Sequence, residues 1–157
     1  MAKGKLDNID RKILRELQND GRITNVELAR RVDISAPPCL RRVRALEERG
    51  LIKGYHAKLD PHELGYDVMV FVMVGLASQA EADLNEFEAH VNDWPMVREC
   101  YMLNGEYDFL IKCVAPDLPA FQTFLTQHLT PAPHVETVKT SLTIKATKNL
   151  PGVPVSD

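Results

Sequence analysis

Arg41, Arg42, Arg44 and Arg49 place four guanidinium groups within nine residues of one short segment. Each is a permanent cation with a planar fork of donors, suited both to guanine edges in the major groove and to backbone phosphates. By helical spacing the same side chains could instead lace to Glu47 and Glu48 as a solvated face. A second constellation, Asn104-Gly105-Glu106-Tyr107-Asp108, packs backbone freedom, two carboxylates and an aromatic ring into one turn. Exposed amides at the glycine can receive a carboxylate and Asp108 can receive an ammonium, which suits a zwitterionic amino acid; the same residues also make an ordinary hairpin turn. Catalysis has no comparable basis. Asp108 and Lys112 share a strand face and Glu99 lies on the neighbouring arm, but His90, His128 and His134 lack ligand spacing, and no glycine-rich phosphate loop or nucleophile motif occurs. The expectation is a non-enzyme with no metal and no cofactor.

The arginines need a scaffold, and Thr24 to Gly50 (TNVELARRVDISAPPCLRRVRALEERG) supplies one. Val26, Leu28, Ala29 and Val32, then Leu40, Val43 and Leu46, recur at three or four residues, the period of helices that bury one face. Two short amphipathic helices joined by a tight turn are a way to present side chains to DNA. Thr24 can cap the first, with Glu27 closing a capping box, and Ser35 can cap the second. Pro37 and Pro38 then fall in the first turn, where a missing N–H costs little. With Leu40, Val43 and Leu46 turned inward, Arg41, Arg42 and Arg44 project from the other faces. Ser35, Ala36, Pro37 and Pro38 at the helix start come nearest to bases or backbone. Arg41 and Arg44 are the leading candidates for a base edge, with phosphate as the equal alternative. Downstream, Leu51 to Leu59 reads as an extended segment or small wing on which Lys53 can follow the flanking backbone; His56 reads as a bystander. Upstream, Leu6, Ile9, Ile13, Leu14 and Leu17 form the stripe of a supporting helix over Leu6 to Asp20, with Asp7 or Asp10 near its start and Gly21 as its stop.

Charge separates the halves. Residues 1 to 60 hold 14 Lys and Arg against 9 Asp and Glu, whereas residues 61 to 157 hold 5 against 13. The overall charge of −3 thus hides a basic module joined to an acidic one, and DNA suits only the first. The leading segment Met1-Ala2-Lys3-Gly4-Lys5 does not resemble a signal peptide, and Val68 to Leu76 is too short to span a membrane. Cys39, Cys100 and Cys113 are an odd number without metal spacing, so free thiols in the cytoplasm are expected. Cys39 lies in the arginine-bearing helix, where burial beside Leu40 is favoured over redox sensing.

The second half changes period. Tyr66 to Leu76 reads as a strand, Ala80 to Val91 as a helix burying Leu84, Phe87 and Val91, and Met96 to Leu103 as a strand. Asn104-Gly105 reads as a tight hairpin turn into a returning strand, Tyr107 to Val114. Asp117 can cap a helix through Leu129 that buries Leu118, Phe121, Phe124 and Leu125, and His134 to Ala146 is again extended. This order folds most simply as a βαββαβ sheet with both helices on one face, an α+β arrangement. In the first strand Val68, Val70, Val72 and Val74 point one way and Met69, Phe71 and Met73 the other, so both faces are apolar. Helices cover one face. A second copy packed sheet against sheet covers the other, and that homodimer also duplicates the DNA-binding module as a palindromic site requires.

Three segments, DGRITNVELARRVDIS, CLRRVRALEERGLIKGYHAKLDP and LNGEYDFLIKC, together resemble the leucine-responsive and asparagine-regulator family of prokaryotic transcription factors, the feast/famine regulators. The resemblance runs from Leu6 to about Lys148. It implies a winged helix-turn-helix domain over residues 1–60 ending in a hinge strand, a ferredoxin-like effector-binding and oligomerisation domain over 61–148, and assembly of dimers into an octamer. It further implies an amino-acid effector held by Leu103, Asn104, Gly105, Tyr107 and Asp108, with Thr140 and Ser141 contributed by a neighbour, and control of amino-acid transport or metabolism genes. The recognition helix corresponds to Ala36–Arg49. Its Ala36-Pro37-Pro38 start departs from the Pro-Thr-Pro of close relatives, replacing a hydroxyl by a ring. The alternative reading is an architectural protein with little sequence preference and no effector. The breaker-rich tail Asn149–Asp157 is expected to be disordered.

Overall fold

Asp7 begins the first helix by accepting a hydrogen bond from the Asp10 amide at 2.8 Å, while the Asp10 carboxylate accepts from the Asp7 amide. The computed structural model describes residues 6–156, so the leading segment Met1–Lys5 and the last residue lie outside the described residues. The chain divides into two units, Met1–Lys58 with Lys148–Asp157, and Leu59–Thr147.

The first unit holds helices α1 (Asn8–Asn19), α2 (Asn25–Arg31) and α3 (Ala36–Glu48). Ile13, Leu28, Ala29, Val32, Cys39 and Leu46 form its core, with Leu6, Ile9, Leu14, Leu17 and Val43 packed around them. Two positions depart from the periodicity. Val26 is 71% exposed, because it lies two residues from Leu28 and so on the opposite helix face. Leu40 is 39% exposed and Cys39 is fully buried in its place. The set Cys39, Val43, Leu46 makes a narrower stripe than Leu40, Val43, Leu46, which sweeps about 120° around the helix. The caps are also partial. Thr24 accepts from the Glu27 amide at 3.2 Å, but the Glu27 carboxylate turns to Arg30 and Arg31. Ser35 occupies the N-cap of α3 without a side-chain cap bond, and the prolines sit in the first turn. No strand forms over Leu51–Leu59; the Tyr55 hydroxyl ties this segment to Glu47 at 2.9 Å.

Among its described residues the tail has neither helix nor strand, as its breakers dictate, and it contacts α1. The Gln18 amide donates to the Pro151 and Val153 carbonyls at 2.9 and 2.8 Å. Gly152 between them has φ +65°, and a Cβ there would meet the Gln18 side chain at 2.9 Å, so a side chain at this position is strained and displaces Gln18.

The second unit is an antiparallel sheet of β1 (Val68–Leu76), β2 (Val97–Met102), β3 (Phe109–Ala115) and β4 (Val135–Leu142), in the order β2-β3-β1-β4. Helices α4 (Glu81–Asp93) and α5 (Leu118–Phe124) complete the βαββαβ order, and a π-helical turn, Leu125–Leu129, prolongs α5. Val70, Val72 and Val74 from β1 and Phe109, Ile111 and Cys113 from β3 meet Phe87, Val91, Phe121, Phe124 and Leu129 in one core. Asp117 caps α5 through the Ala120 amide at 2.7 Å. Leu118, expected inward, is 53% exposed; at the first helical position a side chain leans toward the N-terminus, beyond the end of the element. On the sheet face away from the core, Met69, Phe71 and Met73 are only half-buried. Among the described residues no helix is long and apolar enough to cross a membrane.

Candidate nucleic-acid and effector sites

The turn between α2 and α3 is built for close approach. Asp33 adopts φ +61°, a left-handed conformation that Asp tolerates, and the Ile34 amide returns to the Ala29 carbonyl at 3.0 Å. Asn25 donates to the Ala36 carbonyl at 2.9 Å, fixing the start of α3 against α2. The outward side of α3 is then a shallow depression lined by Pro37, Leu40, Arg41, Arg44, Ala45 and Glu48.

Arginines in this unit fall into two groups. Arg42 turns away from the depression and reaches Asp7 and Asp10 at 2.7 Å each, clamping α3 to the cap of α1. Arg30 and Arg31 converge on Glu27 at 2.7 and 2.9 Å, and Arg31 also reaches Glu16 at 2.9 Å. Hydrogen bonds from both guanidinium groups pull the Glu27 carboxyl down to about 2. Arg41 and Arg44 have no hydrogen-bond or ion-pair partner among the described residues. Ser35, Pro37 and Lys53 are exposed, whereas Ala36 and Pro38 are half-buried. Of the residues expected to face DNA, Arg42 is therefore engaged inside the bundle, and Leu40, expected inside, stands beside the free arginines. Burial raises the Cys39 thiol, the opposite of what a reactive sulfur needs.

In the second unit the β2–β3 connection is longer than a two-residue turn. The Leu103 amide donates to the Asp108 carbonyl at 2.7 Å, enclosing Asn104–Tyr107 as a four-residue loop. Asn104 and Gly105 are exposed and Tyr107 is half-buried. Asp108 is 8% exposed, and its two carboxylate oxygens accept from the Leu76 amide at 2.7 Å and the Gln79 side chain at 2.9 Å. This carboxylate is thus committed to holding the loop onto the connection between β1 and α4, instead of standing open for an ammonium. The sequence offered no signal for Gln79, which lies in an aperiodic connection. Thr140 and Ser141 are exposed on the edge strand β4, opposite Val72 and Phe71. The Asp108 amide meets the Val74 carbonyl from the β3 side of β1, whereas Thr140 and Ser141 pair with β1 from the β4 side, so β1 lies between the two groups.

On the open sheet face Lys112 meets Glu99 at 2.7 Å and the Tyr101 hydroxyl donates to the same carboxylate at 2.8 Å. The two bonds hold Glu99 below the usual carboxylate range. The half-buried Met69, Phe71, Met73, Leu110 and Val114 share this face through the strand register.

Both units match known proteins. A winged helix-turn-helix DNA-binding model matches residues 6–53, and the Lrp/AsnC ligand-binding-domain model matches residues 69–153. A leucine-responsive regulatory protein from Rhizobium meliloti is 59% identical over 144 residues, covering 92% of each chain. The leucine-responsive regulatory protein of Salmonella typhimurium is 43% identical, over 91% of this chain and 87% of that one. Among solved structures, a transcriptional regulator from Neisseria meningitidis in complex with L-methionine superposes with a TM-score of 0.91 at 37% identity, covering 96% of this chain and 97% of the other. With a basic helix-turn-helix unit that leaves Arg41 and Arg44 uncommitted on α3, a ligand-binding-domain sheet with one open face, and these matches over nearly its whole length, this chain belongs to the Lrp/AsnC family of transcriptional regulators.

Proposed function

We propose that this protein is an amino-acid-responsive, sequence-specific regulator of transcription, acting in the cytoplasm on double-stranded DNA. The observation that carries the reading is the freedom of Arg41 and Arg44 on the outward side of α3, in a unit where Arg30, Arg31 and Arg42 are all consumed by carboxylates. Arg41 and Arg44 reach base edges or phosphates, Ser35, Pro37 and Pro38 lie at the groove-facing end of the helix, and Lys53 follows the backbone. The open sheet face pairs with that of a second copy, which presents two such helices to a palindromic operator. Dimers assemble further, into an octamer.

The effector is an amino acid held at the loop Leu103–Asp108. The exposed backbone at Asn104 and Gly105 takes its carboxylate, Leu103 and Tyr107 flank its side chain, and Thr140 and Ser141 of another copy complete the pocket. Asp108 serves by fixing the loop through Leu76 and Gln79. A purely architectural protein has no use for this loop and its buried carboxylate.

Two measurements test the reading. In a thermal-shift screen against the twenty standard amino acids, a selective rise in melting temperature is expected for one chemical class, since a ligand bound only to the folded state stabilises it. A flat panel across all twenty overturns the amino-acid effector. In fluorescence-anisotropy titrations, replacing Arg41 and Arg44 together by alanine is expected to weaken duplex binding at least tenfold; unchanged affinity removes α3 as the DNA-facing helix.

A further inference from the structure

Leu40 is the apolar residue of α3 that the core leaves outside. A single exposed leucine is ordinary on a protein surface. This one is in specific company: it shares the outward depression with Pro37, Ala45 and Glu48 and with Arg41 and Arg44, which have no hydrogen-bond or ion-pair partner among the described residues. The inward position is filled by Cys39, fully buried, so the exposure of Leu40 at 39% is not relieved by a small rotation of the helix. An apolar patch flanked by uncommitted cations fits a polyanion that carries an apolar group at the same depth. The major-groove edge of B-DNA has one such group, the 5-methyl of thymine.

We propose that Leu40 packs against a thymine methyl in each half-site and sets a base preference that the arginines cannot set. The inference rests on the reading of α3 as the DNA-facing helix. Arginine selects guanine by its O6 and N7 acceptors and gains little at thymine, whereas an aliphatic side chain distinguishes thymine from cytosine and uracil by the area its methyl buries. Burial of one methyl corresponds to about a fourfold change in affinity per half-site.

The experiment starts by enriching duplexes from a random pool with the wild-type protein and then replacing each thymine of the enriched site by deoxyuridine, which removes the methyl and nothing else. One thymine per half-site is expected to weaken wild-type binding about fourfold when replaced, and the same replacement is expected to leave the affinity of Leu40→Ala unchanged. The melting temperature of the variant serves as its folding control, and the uracil scan of the wild-type protein stands without it. An enriched site that tolerates uracil at every position, or that loses equally with both proteins, overturns the role of Leu40 while leaving the DNA-binding reading intact. A pool that yields no enriched sequence, with binding indifferent to Arg41 and Arg44, overturns that reading and the inference with it.

Discussion

Arg42 and Arg44 are two residues apart and do opposite work. A turn of about 200° separates their side chains on α3, so one finds Asp7 and Asp10 while the other meets solvent. Replacing Arg42 by alanine frees two carboxylates beside a helix cap and is expected to lower stability by about 1 kcal/mol, read as a drop in melting temperature. Replacing Arg44 by alanine is expected to leave the melting temperature unchanged and to lower duplex affinity several-fold. Equal effects of the two on both readouts refute the division. The sequence showed the arginines as a group but could not sort them, because the carboxylates that capture Arg42 lie on another helix. Glu27 gives a pH prediction at the same scale. Its carboxyl, held at about 2 against an ordinary 4.5, favours the native state in its charged form. Its contribution is whole above about pH 4.5 and fades as pH falls toward 2. The melting-temperature gap between wild type and Glu27→Gln is therefore expected to narrow steadily across that window; a constant gap contradicts the ion-pair account.

At the scale of elements, strong periodicity was legible and short connections were not. The alternation of Val70, Val72 and Val74 with Met69, Phe71 and Met73 identified β1 and its two apolar faces, because a strand has period two and little room for ambiguity. The starts of α2 and α3 followed from Thr24, Ser35 and the prolines, although the Ser35 hydroxyl makes no cap bond. The reading of Leu40, Val26 and Leu118 as inward failed where few turns are available to average out a wrong face. The loop at Asn104-Gly105 carried a turn dipeptide, but its true span is fixed by the Leu103 amide and by Gln79, which no local pattern announces. Removing Asp108 tests that span. Asp108→Ala strands the Leu76 amide, so a loss of about 1–3 kcal/mol is expected together with loss of the amino-acid response. Gln79→Ala, which spares the backbone bond, is expected to cost less stability and still weaken effector binding, measured by calorimetry; full effector affinity in both variants refutes the positioning role. The open sheet face yields its own test. Phe71→Asp is expected to convert the dimer to monomer in sedimentation, and a dimer unchanged by it contradicts pairing through this face.

For the whole molecule, charge and assembly act together. A basic unit that neutralises phosphates releases counterions, so log affinity is expected to fall linearly with log salt. Every phosphate that Arg41 or Arg44 neutralises adds roughly 0.9 to the steepness of that line, so alanine at either position is expected to flatten it by that amount. An unaltered slope assigns those side chains to bases alone. In the proposed reading an effector that favours one assembly over another changes occupancy through a coupling typically worth about 1–3 kcal/mol, enough to shift transcription several-fold without abolishing binding. The composition of the halves made this division of labour legible, since net charges of opposite sign do not serve one partner.

The seat of Gly152 beside Gln18 carries a consequence for how the molecule is made. The polypeptide leaves the helix-turn-helix unit at Lys58 and re-enters it at Lys148, so in the order of synthesis the effector unit is an insert between two pieces of its neighbour. On the ribosome the DNA-binding unit is begun before the effector unit and completed after it, and a nascent chain that has not yet delivered Pro151 and Val153 lacks the carbonyls that Gln18 is placed to meet.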